Sequence, residues 1–208
     1  TACGRDPAAV KIIGVSKYVD AECTRALLES GCNQLGDSRP QSLWQKAESP
    51  GLDHDVQWHM IGHLQTNKVR RLLRHQPIVH SVDSERLLEC IEQESVAQGL
   101  TTQVLLEVNI SGDPSKTGLA PEAAVQLLER LPASGVELIG LMAMAGWGTG
   151  ADEAQRQFEL TRQLRDQWQQ RFQIALAELS MGMSGDFREA IAAGSTMVRI
   201  GSRLFEGV

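Results

Sequence analysis

Lys17 is the residue around which chemistry can be built. It closes the stretch Val10-Lys11-Ile12-Ile13-Gly14-Val15-Ser16-Lys17, where an apolar, β-branched run ends in Ser-Lys and a helical pattern begins at Asp20. Such a run reads as a strand buried on both faces, which places Lys17 where that strand leaves the sheet. In α/β folds, ligands and chemistry collect at these C-terminal strand ends. A free lysine has a pKa of about 10.4 and is protonated at neutral pH. Partial desolvation favours the neutral amine, the form that attacks a carbonyl and makes a Schiff base. The competing reading is a rim lysine that packs its stem and leaves its ammonium in water.

Two later stretches supply a different chemistry. The seventh strand runs into Ser180-Met181-Gly182-Met183-Ser184-Gly185, and the eighth into Arg199-Ile200-Gly201-Ser202. Each offers glycine for close backbone approach, a hydroxyl, and N–H groups at the start of a helix, which together can cradle a phosphate. Taken singly, Ser184 and Ser202 read as helix N-caps. Taken together, on the rim that carries Lys17, they read as a phosphate site. An amine for an aldehyde and a cradle for a phosphate point to one cofactor, pyridoxal 5′-phosphate.

Arg199 points inward at the end of strand eight, either as an ion pair in the mouth or as a contact to the pyridine nitrogen. A guanidinium stays protonated, so that nitrogen would be left without a proton. His59 and Asn109 end strands three and five and are candidate ligand contacts, with a structural histidine as the alternative for His59. His63 and Asn67 read as caps of the next helix. Lys116, in the run Asp113 to Gly118, reads as a solvated loop residue. The tryptophans and methionines read as core or rim packing.

These residues need elements to hold them, and strand and helix patterns alternate along the whole chain. Strands are expected at 10–17, 32–36, 56–61, 78–82, 104–110, 136–142, 175–179 and 196–200. Helices start at Asp20, at Ser38 with Pro40, near Lys68, at Ser84, at Pro121, after the loop Gly146-Trp147-Gly148-Thr149-Gly150, and at Asp186. Gly31 and Gly99 close two of them. About eight βα units in 208 residues imply an α/β protein, a single compact (β/α)₈ barrel over residues 1–208. A doubly wound open sheet is the runner-up, but G-x-G-x-x-G is absent after strand one.

Composition sets the outer limits. The net charge of −6, without a Lys/Arg-rich run, argues against nucleic acid. No apolar run approaches the roughly 18 residues that span a bilayer, and no signal peptide is visible. The four cysteines, Cys3, Cys23, Cys32 and Cys90, lack metal-type spacing and are expected to stay reduced in a cytoplasmic protein. The chain opens Thr1-Ala2-Cys3 without methionine, which reads as a trimmed N-terminus.

Several stretches resemble the pyridoxal-phosphate homeostasis proteins of the YggS/PROSC type. They are Val15-Ser16-Lys17, Trp58 to Gly62 with Leu64 to Lys68, Val108 to Ser111 with Ser115 to Gly118, and the closing runs Leu179 to Ser184 and Ala190 to Gly201. The resemblance covers nearly the whole chain. It implies a barrel like the alanine racemase N-terminal domain, the cofactor on Lys17, phosphate contacts near Ser184, Gly201 and Ser202, and a role in B6 balance without catalytic turnover. Two departures stand out. Gly36-Asp37-Ser38 replaces the family's Gly-Glu-Asn, and the helix that normally precedes strand one is mostly missing, which would leave one barrel face less covered.

An amino-acid racemase is the alternative from the enzyme class, and a Schiff-base aldolase acting on a phosphorylated sugar is the third reading. Racemisation needs acid/base groups on both faces of the α-carbon. Lys17 serves one face. Tyr18, the only tyrosine, is its neighbour, and the chain ends at Val208 without the second domain that supplies the opposing tyrosine in alanine racemase-like enzymes. The expectation is therefore a monomeric PLP carrier whose partners are apo-enzymes that use PLP.

Overall fold

The computed structural model describes residues 4–52, 54–113, 116–131 and 134–206. Eight parallel strands close on themselves in chain order: β1 (Lys11–Val15), β2 (Gln34–Asp37), β3 (Gln57–Met60), β4 (Ile78–Val82), β5 (Thr102–Glu107), β6 (Val136–Met142), β7 (Glu178–Met183) and β8 (Met197–Ile200). Between them run α1 (Ala21–Glu29), α2 (Pro40–Ala47), α3 (Thr66–Leu72), α4 (Glu85–Gln98), α5 (Pro121–Leu128), α6 (Ala151–Phe172) and α7 (Phe187–Ala193). Closure is made by β8 against β1, with Lys11 opposite Met197 and Gly14 opposite Ile200. The expected (β/α)₈ barrel is what these residues form.

Side-chain alternation along each strand sorts the core into two compartments. Val104 and Leu106 of β5 join the large apolar layer under the helices, with Leu43, Leu72, Ile91, Leu127 and Phe158. Leu105 between them turns the other way and meets Ile78 and Met142 in a separate small cluster inside the barrel. Full burial of such side chains stabilises the fold by about 1.5–3 kcal/mol each. Local signals fix the helix ends. Asp20 accepts the N–H of Cys23, Ser84 accepts that of Leu87, and Gly99 ends α4 in the left-handed region at φ 68°.

Two strands differ from expectation. The seventh is displaced from 175–179 to Glu178–Met183, because Arg165 holds the carbonyls of Leu176 and Ala177 outside the sheet while Met183 pairs with Arg199. The fifth stops at Glu107, because beyond it Val108 and Asn109 turn to pair with Leu119. The seam between β8 and β1 is covered by short 3₁₀ turns, Pro7–Ala9 and Ser202–Leu204, with no longer helix among the described residues. An apolar groove of about 390 Å³ runs there past Pro7, Ile12, Ile191, Val198 and Leu204.

Candidate functional site

The C-terminal ends of the strands surround a cleft of about 560 Å³, whose walls include Lys17, Ser38, His63, Glu107, Ser184, Arg199, Gly201 and Ser202. Lys17 follows β1 and is exposed. Its ammonium lies 4.7 Å from the centre of the Tyr18 ring and makes no hydrogen bond or ion pair to a described residue. The amine is therefore free to meet a ligand.

The backbone just before Lys17 is held from behind. Ser16 is fully buried, and its carbonyl, beyond the last ladder bond of β1, receives the Lys46 ammonium of α2 at 2.5 Å. The same ammonium donates to Ser16 Oγ at 3.1 Å and to Asp37 Oδ2 at 2.9 Å. Asp37 also accepts from Ser42 Oγ at 2.7 Å and from the Arg39 N–H at 3.0 Å. Every polar atom of this buried pair has a partner, the condition under which burying charge is tolerable. The departure Asp37-Ser38 thus resolves into two roles. Asp37 is turned away into this brace, and Ser38 lines the cleft.

On the β7–β8 side, Ser184 Oγ accepts the Gly201 N–H at 3.3 Å and ties the two strand exits together. The N-cap of α7 is Asp186, whose Oδ1 takes the Met183 N–H at 2.6 Å, so Ser184 does not cap that helix. Ser202 opens a 3₁₀ turn. The N–H groups of Gly185 and Ser202 find no acceptor among the described residues. Two hydroxyls and free N–H donors in one corner form a donor set suited to a phosphate.

Arg199 reaches the same cleft from β8 while being only 4% exposed. Its guanidinium donates to Ser180 O (2.7 Å), Ser180 Oγ (2.6 Å) and Ala143 O (3.1 Å). Burial brings its pKa down to about 10, so it remains a cation at neutral pH. From Ser180 a chain of contacts crosses the barrel interior: His80 Nδ1 at 2.9 Å, then His80 Nε2 to His59 Nδ1 at 2.8 Å, then His59 Nε2 to Gln34 Oε1 at 3.0 Å. One proton arrangement satisfies every atom. Arg199 donates to Ser180, Ser180 to His80, His80 to His59 and His59 to Gln34, with both imidazoles neutral. Burial enforces that neutrality, driving His59 down to about 3 and His80 well below its ordinary value.

The other expected residues fall as follows. His59 is fully buried in this array, inside the barrel, and is not among the residues lining the cleft. Alternation put it on the inner face but could not say how deep. Asn109 is also absent from the lining. It sits in the turn after β5, donating to Asp113 O at 2.8 Å and accepting from Ser111 at 2.9 Å. His63 caps nothing; it lines the cleft and pairs with Asp83 Oδ2 at 3.1 Å. Lys116 is not simply solvated, because its ammonium donates to Ala145 O at 2.6 Å. Trp147 is 99% exposed instead of packed.

Sequence reasoning missed Glu107, the last residue of β5, which is 3% exposed and lines the cleft. Thr117 Oγ1 donates to one carboxylate oxygen at 2.5 Å. Burial raises its pKa, against the opposing Thr117 hydrogen bond. The available signal was a carboxylate closing the apolar run Val104-Leu105-Leu106 at a strand's C-terminal end.

A closed barrel with a free lysine beyond β1, a buried arginine on β8 and hydroxyl and N–H donors at the β7–β8 exits defines a barrel of the alanine racemase type. The family described as "Alanine racemase, N-terminal domain" matches residues 8–207. Within it, the chain is similar to the pyridoxal phosphate homeostasis protein of Aquifex aeolicus, 37% identical over 203 residues, covering 97% of this chain and 89% of that one. PipY of Synechococcus elongatus PCC7942, solved with PLP bound, superposes with a TM-score of 0.90 at 33% identity, covering 98% of this chain and 95% of PipY. PipY without PLP gives 0.91 at 35% identity, covering 96% and 94%. The chain belongs to the family of pyridoxal phosphate homeostasis proteins.

Proposed function

We propose that this chain binds pyridoxal 5′-phosphate in the cleft at the barrel mouth and serves in the cellular handling of vitamin B6. The observation that carries this reading is the joint lining of one cleft by Lys17, Arg199, Ser184, Gly201 and Ser202. Bound there, the cofactor supplies an aldehyde that a primary amine can capture covalently. Lys17 is the one lysine among the described residues that line this cleft, and its ammonium makes no hydrogen bond or ion pair to a described residue. Ser184, Ser202 and the free N–H groups of Gly185 and Ser202 would hold the phosphate, and Arg199 would present a fixed donor that leaves the pyridine nitrogen unprotonated. PipY, with PLP bound, and the homeostasis-protein relatives support the reading.

The same proposal treats residues 1–208 as one domain, working as a cytoplasmic monomer that carries the cofactor without turnover and passes it to apo-enzymes. Among the described residues no helix is long and apolar enough to cross a membrane. The test is borohydride reduction of PLP-loaded protein followed by peptide mass spectrometry. A pyridoxyl group on the peptide containing Lys17, and its loss in a folded Lys17→Ala variant, is the expected result. An adduct on another lysine with Lys17 unmodified would overturn the assignment.

A further inference from the structure

The inward positions of a barrel of this kind are ordinarily filled by branched apolar side chains. Here five strands each send a polar side chain into one connected line: Gln34 of β2, His59 of β3, His80 of β4, Ser180 of β7 and Arg199 of β8. His59, His80 and Ser180 are fully buried. Apolar residues of similar volume would fill that space without the cost of burying polar groups, as Ile78, Leu105 and Met142 do elsewhere in the interior. Stability alone therefore does not account for the line.

The line has a direction. Gln34 gives its Nε2 to Asn33 Oδ1 at 3.3 Å, which leaves Oε1 facing His59 as an acceptor. His59 then carries its proton on Nε2, and its bare Nδ1 accepts the proton on His80 Nε2. That leaves His80 Nδ1 to accept from the Ser180 hydroxyl, and Ser180 Oγ meets Arg199 through a lone pair at 2.6 Å. With the other tautomer His80 would donate to Ser180, whose own proton would have no acceptor among the described residues. A second proton on either ring is opposed by burial first, with Lys11 adding to this at His59, and His59 and Arg199 at His80.

What the line fixes is Arg199. Its Nη1 donates to Ser180 O and Oγ and its Nη2 to Ala143 O. The Nε–H and the second N–H of Nη2 find no acceptor among the described residues, and Arg199 lines the cleft. We propose that His59, His80 and Ser180 are positioning residues for Arg199: the one-way line they form holds its guanidinium in a single pose, with the unspent N–H groups offered to an acceptor in the cleft. The use of that pose rests on the PLP reading, in which the acceptor is the ring nitrogen of the cofactor.

Nuclear magnetic resonance tests this on the whole protein. Without cofactor, long-range proton–nitrogen correlations in the unmodified chain should show both imidazoles neutral, with the proton on Nε2. An Nδ1–H tautomer on either ring overturns the proposal without any variant. PLP carrying an NMR-active nitrogen isotope in its ring then reads the other end of the line. His80→Leu and Ser180→Ala should each move the bound nitrogen signal toward that of a pyridine lacking a hydrogen bond, and should speed PLP release by about fivefold. His80→Asn, whose Oδ1 takes the place of Nδ1, should restore part of both. Ile78→Val, an interior change outside the line, should lower the unfolding temperature and leave the nitrogen signal where it was. An unchanged signal and release rate in folded His80→Leu and Ser180→Ala overturns the positioning role. A chain that takes up no PLP sinks the cofactor reading, and the tautomers then decide the line by themselves.

Discussion

The Lys46 ammonium lies 2.9 Å from Asp37 Oδ2, and the pair clamps the carbonyl of Ser16, one residue before Lys17. Removing one partner leaves a buried charge uncompensated, which typically costs about 3–5 kcal/mol. Lys46→Met should lower the stability measured by urea unfolding by about that amount. Lys46→Met combined with Asp37→Leu should recover most of it. The double variant should still capture PLP more slowly than the parent, because the backbone that aims Lys17 has lost its brace. Unchanged capture kinetics in the folded double variant would reduce the pair to a purely structural role.

Acid sensitivity follows from His59 and His80. Both have folded pKa values depressed by burial, His59 to about 3, against about 6.5 when unfolded. As pH falls below 6.5 the unfolded chain takes up protons that the folded chain refuses. Stability is therefore complete above about pH 6.5 and declines as pH falls below it, by about 1.4 kcal/mol per pH unit for His59 down to about pH 3, with His80 adding to the decline in the same direction. Glu107, raised by burial, acts in the opposite direction. Urea midpoints at pH 7, 6, 5 and 4 should show this decline, and His80→Asn should reduce its slope by roughly one proton.

Gly62 lines the cleft where β3 ends, and a Cβ added there would lie 2.3 Å from the carbonyl oxygen of Ser38. Backbone cannot swing aside as a flexible side chain would. Gly62→Ala should therefore destabilise the protein by about 1–3 kcal/mol and weaken PLP retention by shifting Ser38. Thermal unfolding and cofactor release, measured on the same sample, check both effects.

The cleft-lining positions legible in the sequence were those set by local signals. Lys17 announced itself by closing a buried strand, and Ser184, Gly201 and Ser202 by their place at strand exits. Glu107 and Lys46 were not legible because their roles depend on partners from other elements: Thr117 lies ten residues on, and Ser16 thirty residues back. For His59, the two-residue period of a strand gave its face but not its height along the barrel axis. Asn109 was misplaced because nothing local marks where a strand stops pairing with its neighbours.

The corner between the β7 and β8 exits makes the last prediction. Ser184 Oγ holds the Gly201 N–H at 3.3 Å, a long bond that a phosphate oxygen could replace. Ser202 brings a second hydroxyl and an N–H without an acceptor to the same place. Hydrogen bonds to a charged group contribute about 1.5–3 kcal/mol each, so losing one should speed cofactor release about ten- to a hundredfold. Covalent capture by Lys17, as proposed, would hold the cofactor through its other end and mask part of this loss at equilibrium. The dissociation rate into excess apo-enzyme is therefore the quantity to measure. Ser184→Ala should accelerate it within that range, and adding Ser202→Ala should accelerate it further. A folded double variant that releases PLP at the parent rate would place the phosphate somewhere other than the β7–β8 exits.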